Sequence, residues 1–326
     1  MIYKKFSSEK KLATTEQQRF WENVSHCSFT ADDGTNIAYC QILQPDNQQA
    51  IVISNGRIES YIKYQELIFD LFHQGYSVFA IDHRGQGLSD RLTTNPHQGH
   101  VGQFQDYVDD FKLFIDNKVL PTKHTSYSLL AHSMGGAIAA HYLHQNQNVF
   151  DCAVLCAPMF GICLPFNTKV ILWLATKLDK TQAIDGSNLV NTNYVLGGTN
   201  YQSEPFISNH LTHSKQRYEH FRELYRKQPQ LQLGSPTNRW LIESITAAEQ
   251  SISFAKESQM PILILQASGD EIVRNQAQDK ALSAHCHKVV IEGASHEILF
   301  ELDKLRNKAL SHTMNFIKQH SKSDVI

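Results

Sequence analysis

The sequence has no apolar run approaching the roughly 20 residues that a membrane-spanning helix needs. The longest candidate, Val170 to Thr176, is far too short. Together with a mean hydropathy of -0.35, this argues against an integral membrane protein. There is no excess of charge of either sign. Lys+Arg 30 against Asp+Glu 32 gives a net charge of -2, so the basic footprint of a nucleic-acid binder is missing. No C-x-x-C pair occurs among Cys27, Cys40, Cys152, Cys156, Cys163 and Cys286, which excludes a zinc knuckle and a thioredoxin motif. Reduced thiols in a cytoplasmic protein are the expectation. The N-terminus is polar and charged and lacks the apolar core of a secretory signal. Internal repeats and low-complexity tracts are also absent.

What is present is a chain able to bury a substantial core. Its 326 residues are 41% hydrophobic and 19% charged, which excludes disorder. Residues 1–25 read as an arm with a helix over Glu16 to Val24. Lys4, Lys5, Lys10 and Lys11 form a basic group, read as a solvated surface, with attraction to anionic lipid as the sharper alternative. From His26 the pattern turns to β. His26 to Thr30 and Ile37 to Leu43 flank Asp32-Asp33-Gly34, a hairpin signal.

Strands and helices then alternate. Strands are expected at Ala50 to Ser54, Tyr76 to Ile81, Tyr127 to Ala131 and Ala153 to Cys156. Helices are expected at Tyr61 to His73, Phe104 to Val119 and Gly135 to Gln145. From Phe160 to about Ser251 the alternation stops, and helical segments rich in large side chains follow. It resumes with strands at Ile262 to Gln266 and Lys288 to Ile291 and a helix at Glu301 to Gln319. This order implies an α/β fold: a mostly parallel sheet with helices on both faces and an inserted helical cap. The division is an arm at 1–25, a core in two parts at 26–159 and 252–326, and the cap at 160–251. Open α/β sheets place their sites at the C-terminal ends of the strands, which the insertion should overlie.

Ala131-His132-Ser133-Met134-Gly135-Gly136 follows a strand and opens a helix. That is the context of a nucleophile elbow, a tight turn lifting a serine hydroxyl above the sheet. Small residues must flank the serine because the turn is cramped. Ala131 stands where glycine is usual. The alternative is an ordinary helix start with Ser133 as its N-cap. A serine needs a base. His296 follows the last strand and precedes the last helix, and that position selects it among 17 histidines. His132 is read as packing locally.

The base needs an acid, and Asp270 sits just past the strand Ile262 to Gln266, with Glu271 the competitor. The order Ser133, Asp270, His296 is that of an α/β-hydrolase triad. The oxyanion of a tetrahedral intermediate needs fixed N–H donors. The backbone N–H groups of Met134 and Arg57 are the candidates. Asp82 to Ser89, with its two glycines, is read as a structural turn rather than a catalytic loop.

The set Asn55-Gly56-Arg57, Asp82 to Ser89, Ala131 to Gly136, Gly269-Asp270 and Ser295-His296 resembles the monoglyceride-lipase group of α/β-hydrolases. Within it, Asn55 to Tyr61 and Ala131 most resemble bacterial lysophospholipases of the L-two type. The resemblance implies Ser133, Asp270 and His296 as triad, and no cofactor. It implies hydrolysis of a lysophospholipid to fatty acid and glycerophosphodiester, with peripheral association at the inner membrane. A monoacylglycerol lipase or general carboxylesterase would share every catalytic residue. A non-catalytic binding protein of the same fold is the reading from another class. The Arg57 side chain is expected in an ion pair with Glu59 or another acid, with contact to a substrate phosphate as the alternative. The cap's aromatic residues are expected either to line an acyl pocket or to form the cap's own core.

Overall fold

A computed structural model describes residues 5–46 and 48–322. Residues 1–4 of the expected arm, including Lys4, and 323–326 of the second core segment lie outside the described residues. Strands β1 (Ser25–Thr30) and β2 (Asn36–Ile42) form an antiparallel hairpin, turned at Gly34 with φ +87°. Then come β3 (Gln49–Ser54), β4 (Ser77–Ile81), β5 (Ser126–His132) and β6 (Cys152–Cys156). Two short strands, β7 (Gln182–Ala183) and β8 (Val190–Asn191), pair within the insertion. Strands β9 (Ile262–Ala267) and β10 (Cys286–Ile291) follow.

The main sheet has the order β1-β2-β4-β3-β5-β6-β9-β10. It is parallel from β4 to β10, and β2 joins it antiparallel through β4. Strands β4, β5, β6 and β9 are buried at every residue. That is why they read as short continuous apolar runs: helices cover both faces, and no side faces water. Each large aliphatic side chain so buried contributes roughly 1.5–3 kcal/mol.

The helices are α1 (Thr15–Trp21), α2 (Gln65–His73), α3 (Phe104–Phe114), α4 (Met134–Gln145), α5 (Thr168–Leu178), α6 (Lys215–Lys227), α7 (Asn238–Glu257), α8 (Asn275–Asp279) and α9 (Asp303–His320). The expected helix over Tyr61 to His73 begins as a 3₁₀ turn at Tyr61–Tyr64. That over Phe104 to Val119 ends in a π turn at Ile115–Val119. The insertion carries α5, α6 and most of α7, and its small β7–β8 ribbon was not legible as strand. Helix α7 runs unbroken through position 251, where the sequence reading ends the cap. It packs on α5 at one side and on α3 and α4 of the core at the other.

The arm is bound to the core, while its described lysines face solvent. Phe6 is buried. The Ser7 N–H and hydroxyl donate to Asp70 at 2.9 and 2.7 Å, and Phe20 of α1 packs edge-on against Phe69 of α2. Lys5, Lys10 and Lys11 are exposed. Beneath the arm lies an ionic cluster. Arg306 of α9 meets Asp70 at 2.8 Å, and Arg217 of α6 meets Glu66 at 2.7 Å and Asp303 at 2.8 Å. Arg217 thus ties the insertion to α2 and α9.

Candidate active site

Ser133 stands at the turn between β5 and α4 with φ +52° and ψ -116°. A non-glycine residue is strained there, and a nucleophile elbow requires that strain. The turn is pinned from both sides. The Ser133 N–H donates to the Cys156 carbonyl at 3.0 Å, and its carbonyl accepts from Met159 and Gly136 at 2.9 Å. A Cβ on Gly135 would lie 2.2 Å from the Ser54 carbonyl oxygen, so that position admits only glycine. Ala131 is different. It lies within β5, opposite Ser54 and Leu155, and is not among the positive-φ residues, so only smallness is required of it.

The structure brings Ser133, His296 and Asp270 into one hydrogen-bonded line. His296 Nε2 is 2.9 Å from Ser133 Oγ, and Nδ1 is 2.8 Å from Asp270 Oδ2. A carboxylate accepts, so Nδ1 carries the proton and Nε2 is free to take one from the serine. Burial pushes the Asp270 carboxyl up. The hydrogen bond and charge of His296, with the Val273 and Ile272 N–H groups, outweigh it and hold the carboxyl below the usual range. Glu271 takes no part. It is exposed and pairs with His210 at 2.9 Å.

The Asn55-Gly56-Arg57 loop leans on the elbow: a Cβ on Gly56 would lie 3.2 Å from Ser133 Cβ. Two side chains that sequence reasoning missed hold the loop. The Gly56 N–H donates to Glu59 Oε2 at 2.5 Å, and the Gly56 carbonyl accepts from Gln86 Nε2 at 2.7 Å. With the Gly56 carbonyl engaged on Gln86, the trans peptide directs the Arg57 N–H to the opposite side. Asp82 to Ser89 is structural. Asp82 accepts from Ser60, Tyr61, Asn55 and Leu88, and burial still pushes its carboxyl up to about 6. The only signal for Gln86 was its place in this loop.

His132 does more than pack locally. Its Nδ1 lies 3.0 Å from Glu59 and its Nε2 lies 3.2 Å from the His296 carbonyl. Burial lowers the imidazole pKa, but the charge and hydrogen bond of Glu59 overcome this and raise it. Lys63 completes the cluster, at 2.9 Å from Glu59 and 2.6 Å from Glu297.

A cavity of about 520 Å³ opens above Ser133 and His296. Tyr201, Tyr218, Phe221, Tyr225 and Trp240 of the insertion line it, whereas Trp173 is 62% exposed on the outer face. The insertion also touches the histidine loop directly: the Glu297 N–H donates to the Leu211 carbonyl at 2.8 Å. Among the described residues, Arg57 has neither Glu59 nor any other acid as partner. Its guanidinium donates to the Gly234 carbonyl at 2.6 Å and lies 5.0 Å from the Trp240 ring centroid.

The parallel sheet, the strained elbow and the serine–imidazole–carboxylate line define a serine hydrolase of the α/β-hydrolase fold. Residues 45–303 match the family model described as serine aminopeptidase, S33 (Hydrolase_4), and the chain belongs to that family. It is 40% identical over 314 residues to lysophospholipase L2 of Escherichia coli, covering 93% of this chain and 90% of that protein. It is 34% identical to the probable lysophospholipase L2 of Haemophilus influenzae, covering 95% and 97%. Among solved structures, it is similar to a soluble variant of monoglyceride lipase from Saccharomyces cerevisiae in complex with a substrate analog. That likeness has a TM-score of 0.71 and 17% identity over 96% of this chain and 98% of that one, and it bears on the fold alone.

Proposed function

We propose that the protein is a serine esterase that hydrolyses the acyl ester of lysophospholipids through an acyl-enzyme. The observation that carries the chemistry is the hydrogen-bonded line from Ser133 Oγ through His296 to Asp270 at the floor of an aromatic cavity. The substrate class is supported by the lysophospholipases to which the chain is 40% and 34% identical.

Ser133 attacks the ester carbonyl while His296 takes its proton, and Asp270 steadies the imidazolium. The N–H groups of Met134 and Arg57 receive the oxyanion. The first N–H of α4 has no partner within its helix, and the helix end carries partial positive charge. His296 protonates the departing glycerol oxygen, then activates water to release the fatty acid. Residues 160–251 act as a cap whose aromatic side chains hold the acyl chain. Phe166, Val170 and Trp173, exposed on or beside α5, support peripheral contact with a lipid surface.

Fatty acid release from lysophosphatidylethanolamine and from monoacylglycerol of the same chain length tests the reading, with Ser133→Ala as control. The expected result is preference for the phospholipid, lost in the control. Equal or greater turnover of the neutral lipid would establish a monoacylglycerol lipase with the same triad.

A further inference from the structure

Most buried cations among the described residues have carboxylates. Lys63 has Glu59 and Glu297, Arg84 has Asp110 and Asp33, Arg217 has Glu66 and Asp303, and Arg306 has Asp70. That is the ordinary rule, since an unpaired charge out of water is costly. Arg57 and Arg222, half-buried in the cavity wall, break it. The titratable groups acting on Arg57 are Tyr107 and Tyr194, and those acting on Arg222 are Tyr218 and Tyr201, all uncharged phenols at neutral pH. The Nε–H of each is buried without a hydrogen-bond partner among the described residues. Arg91 also lacks an acid among the described residues, but backbone carbonyls fill its guanidinium and it does not line the cavity.

Both side chains are held by neutral surfaces. Arg222 lies 4.9 Å from the Tyr218 ring centroid and 5.2 Å from that of Phe221, and it donates to the Tyr201 hydroxyl at 3.3 Å. Arg57 is wedged between Trp240 and Gly99, where an added Cβ would fall 2.6 Å from a guanidinium nitrogen. Aromatic faces fix a guanidinium without neutralising it. The two arginines flank one turn. Arg57 bonds the carbonyl of Gly234, which packs on Asn200 and Tyr201, and Tyr201 bonds Arg222. Burial lowers Arg57 to about 10, so it is still protonated at neutral pH.

We propose that Arg57 and Arg222 form a phosphate-recognising site within the catalytic cavity, which binds the phosphodiester of the lysophospholipid head group. Planar guanidinium forks suit phosphate oxygens. The site gives the enzyme a means of rejecting neutral glycerides, because two desolvated cations are left unpaired when the head group is missing. This rests on the ester-hydrolase reading above and extends it to the group that selects the substrate.

The test uses the full-length protein, with active enzyme counted by a fluorophosphonate probe. Hydrolysis of the neutral ester p-nitrophenyl butyrate is followed with glycerophosphoethanolamine or inorganic phosphate as inhibitor. The diester is expected to inhibit wild type more strongly than phosphate, with Ki raised at least about tenfold by Arg222→Gln and further by Arg57→Gln/Arg222→Gln. In parallel, the ratio of kcat/KM for octanoyl lysophosphatidylethanolamine to that for monooctanoylglycerol should fall at least about tenfold in Arg222→Gln, through KM. An unchanged Ki and an unchanged ratio in Arg222→Gln would overturn the proposal. Phosphate binding as tightly as the diester would make this a free-phosphate site and overturn the head-group assignment. If wild type hydrolyses no lysophospholipid while Arg222 still governs diester inhibition, the substrate reading fails and the site stands.

Discussion

His132 reaches the backbone of the residue beside which it packs: its Nε2 lies 3.2 Å from the carbonyl oxygen of His296. Its other ring nitrogen faces the Glu59 carboxylate. Both neighbours are acceptors only, so both ring nitrogens donate and the ring is an imidazolium. A buried cation therefore clamps the loop of the proposed base to the loop that carries Gly56 and Arg57.

This clamp has a pH signature. The folded-state pKa of His132 is raised above 6.5. Its contribution to stability is complete below pH 6.5 and is lost as pH rises through the folded value. His83 and His100, lowered to about 3 and about 4, act between those values and 6.5 and leave the upper window flat. The thermal midpoint should decline as pH is raised from 6.5, and His132→Gln should remove that slope. Calorimetry across pH 6–9 reads both.

Ser133→Ala should lower kcat by about 10⁴- to 10⁶-fold and abolish fluorophosphonate labelling. Asp270→Asn should keep the serine in place yet cost about 10⁴-fold, since the imidazole then holds the wrong tautomer. Labelling rates and steady-state turnover check the pair.

Gln86→Ala should release the Gly56 carbonyl and let the peptide bearing the Arg57 N–H turn. Roughly a 10²-fold loss in kcat is expected, with KM little changed, because the lost interaction belongs to the oxyanion. An equal change in KM would assign Gln86 to substrate binding instead.

Arg217→Ala should cost about 3 kcal/mol by removing the bidentate partner of Glu66 and the ion pair of Asp303, with Arg306 at 3.8 Å left to offset Glu66 in part. Urea denaturation measures it, and proteolysis should find the insertion exposed.

Much of this arrangement could be read before any coordinates. Ser133, Asp270 and His296 each follow a parallel strand, and parallel strands end on one side, so all three fall at the same edge of the sheet. Arg222 and Tyr201 had no such guide. They lie in the insertion, whose place over the cavity depends on contacts between residues far apart in sequence. Arg57 was legible as a residue, but its partner was not. Glu59 is near in sequence yet engaged by Lys63, His132 and Tyr64, so Arg57 turns to a backbone carbonyl 177 positions away. The docking of the arm was not legible because nothing in residues 5–25 reveals Asp70 and Asp303, the acceptors that bind it.

The bond from Glu297 to Leu211 joins the insertion to the residue that follows His296. With the His132 ring on the His296 carbonyl and Lys63 on Glu297, this bond is one of three that fix the loop behind the imidazole. The seating of the insertion and the aim of the imidazole are thus parts of one connected frame, so the residues that shape the cavity also brace the loop that works within it.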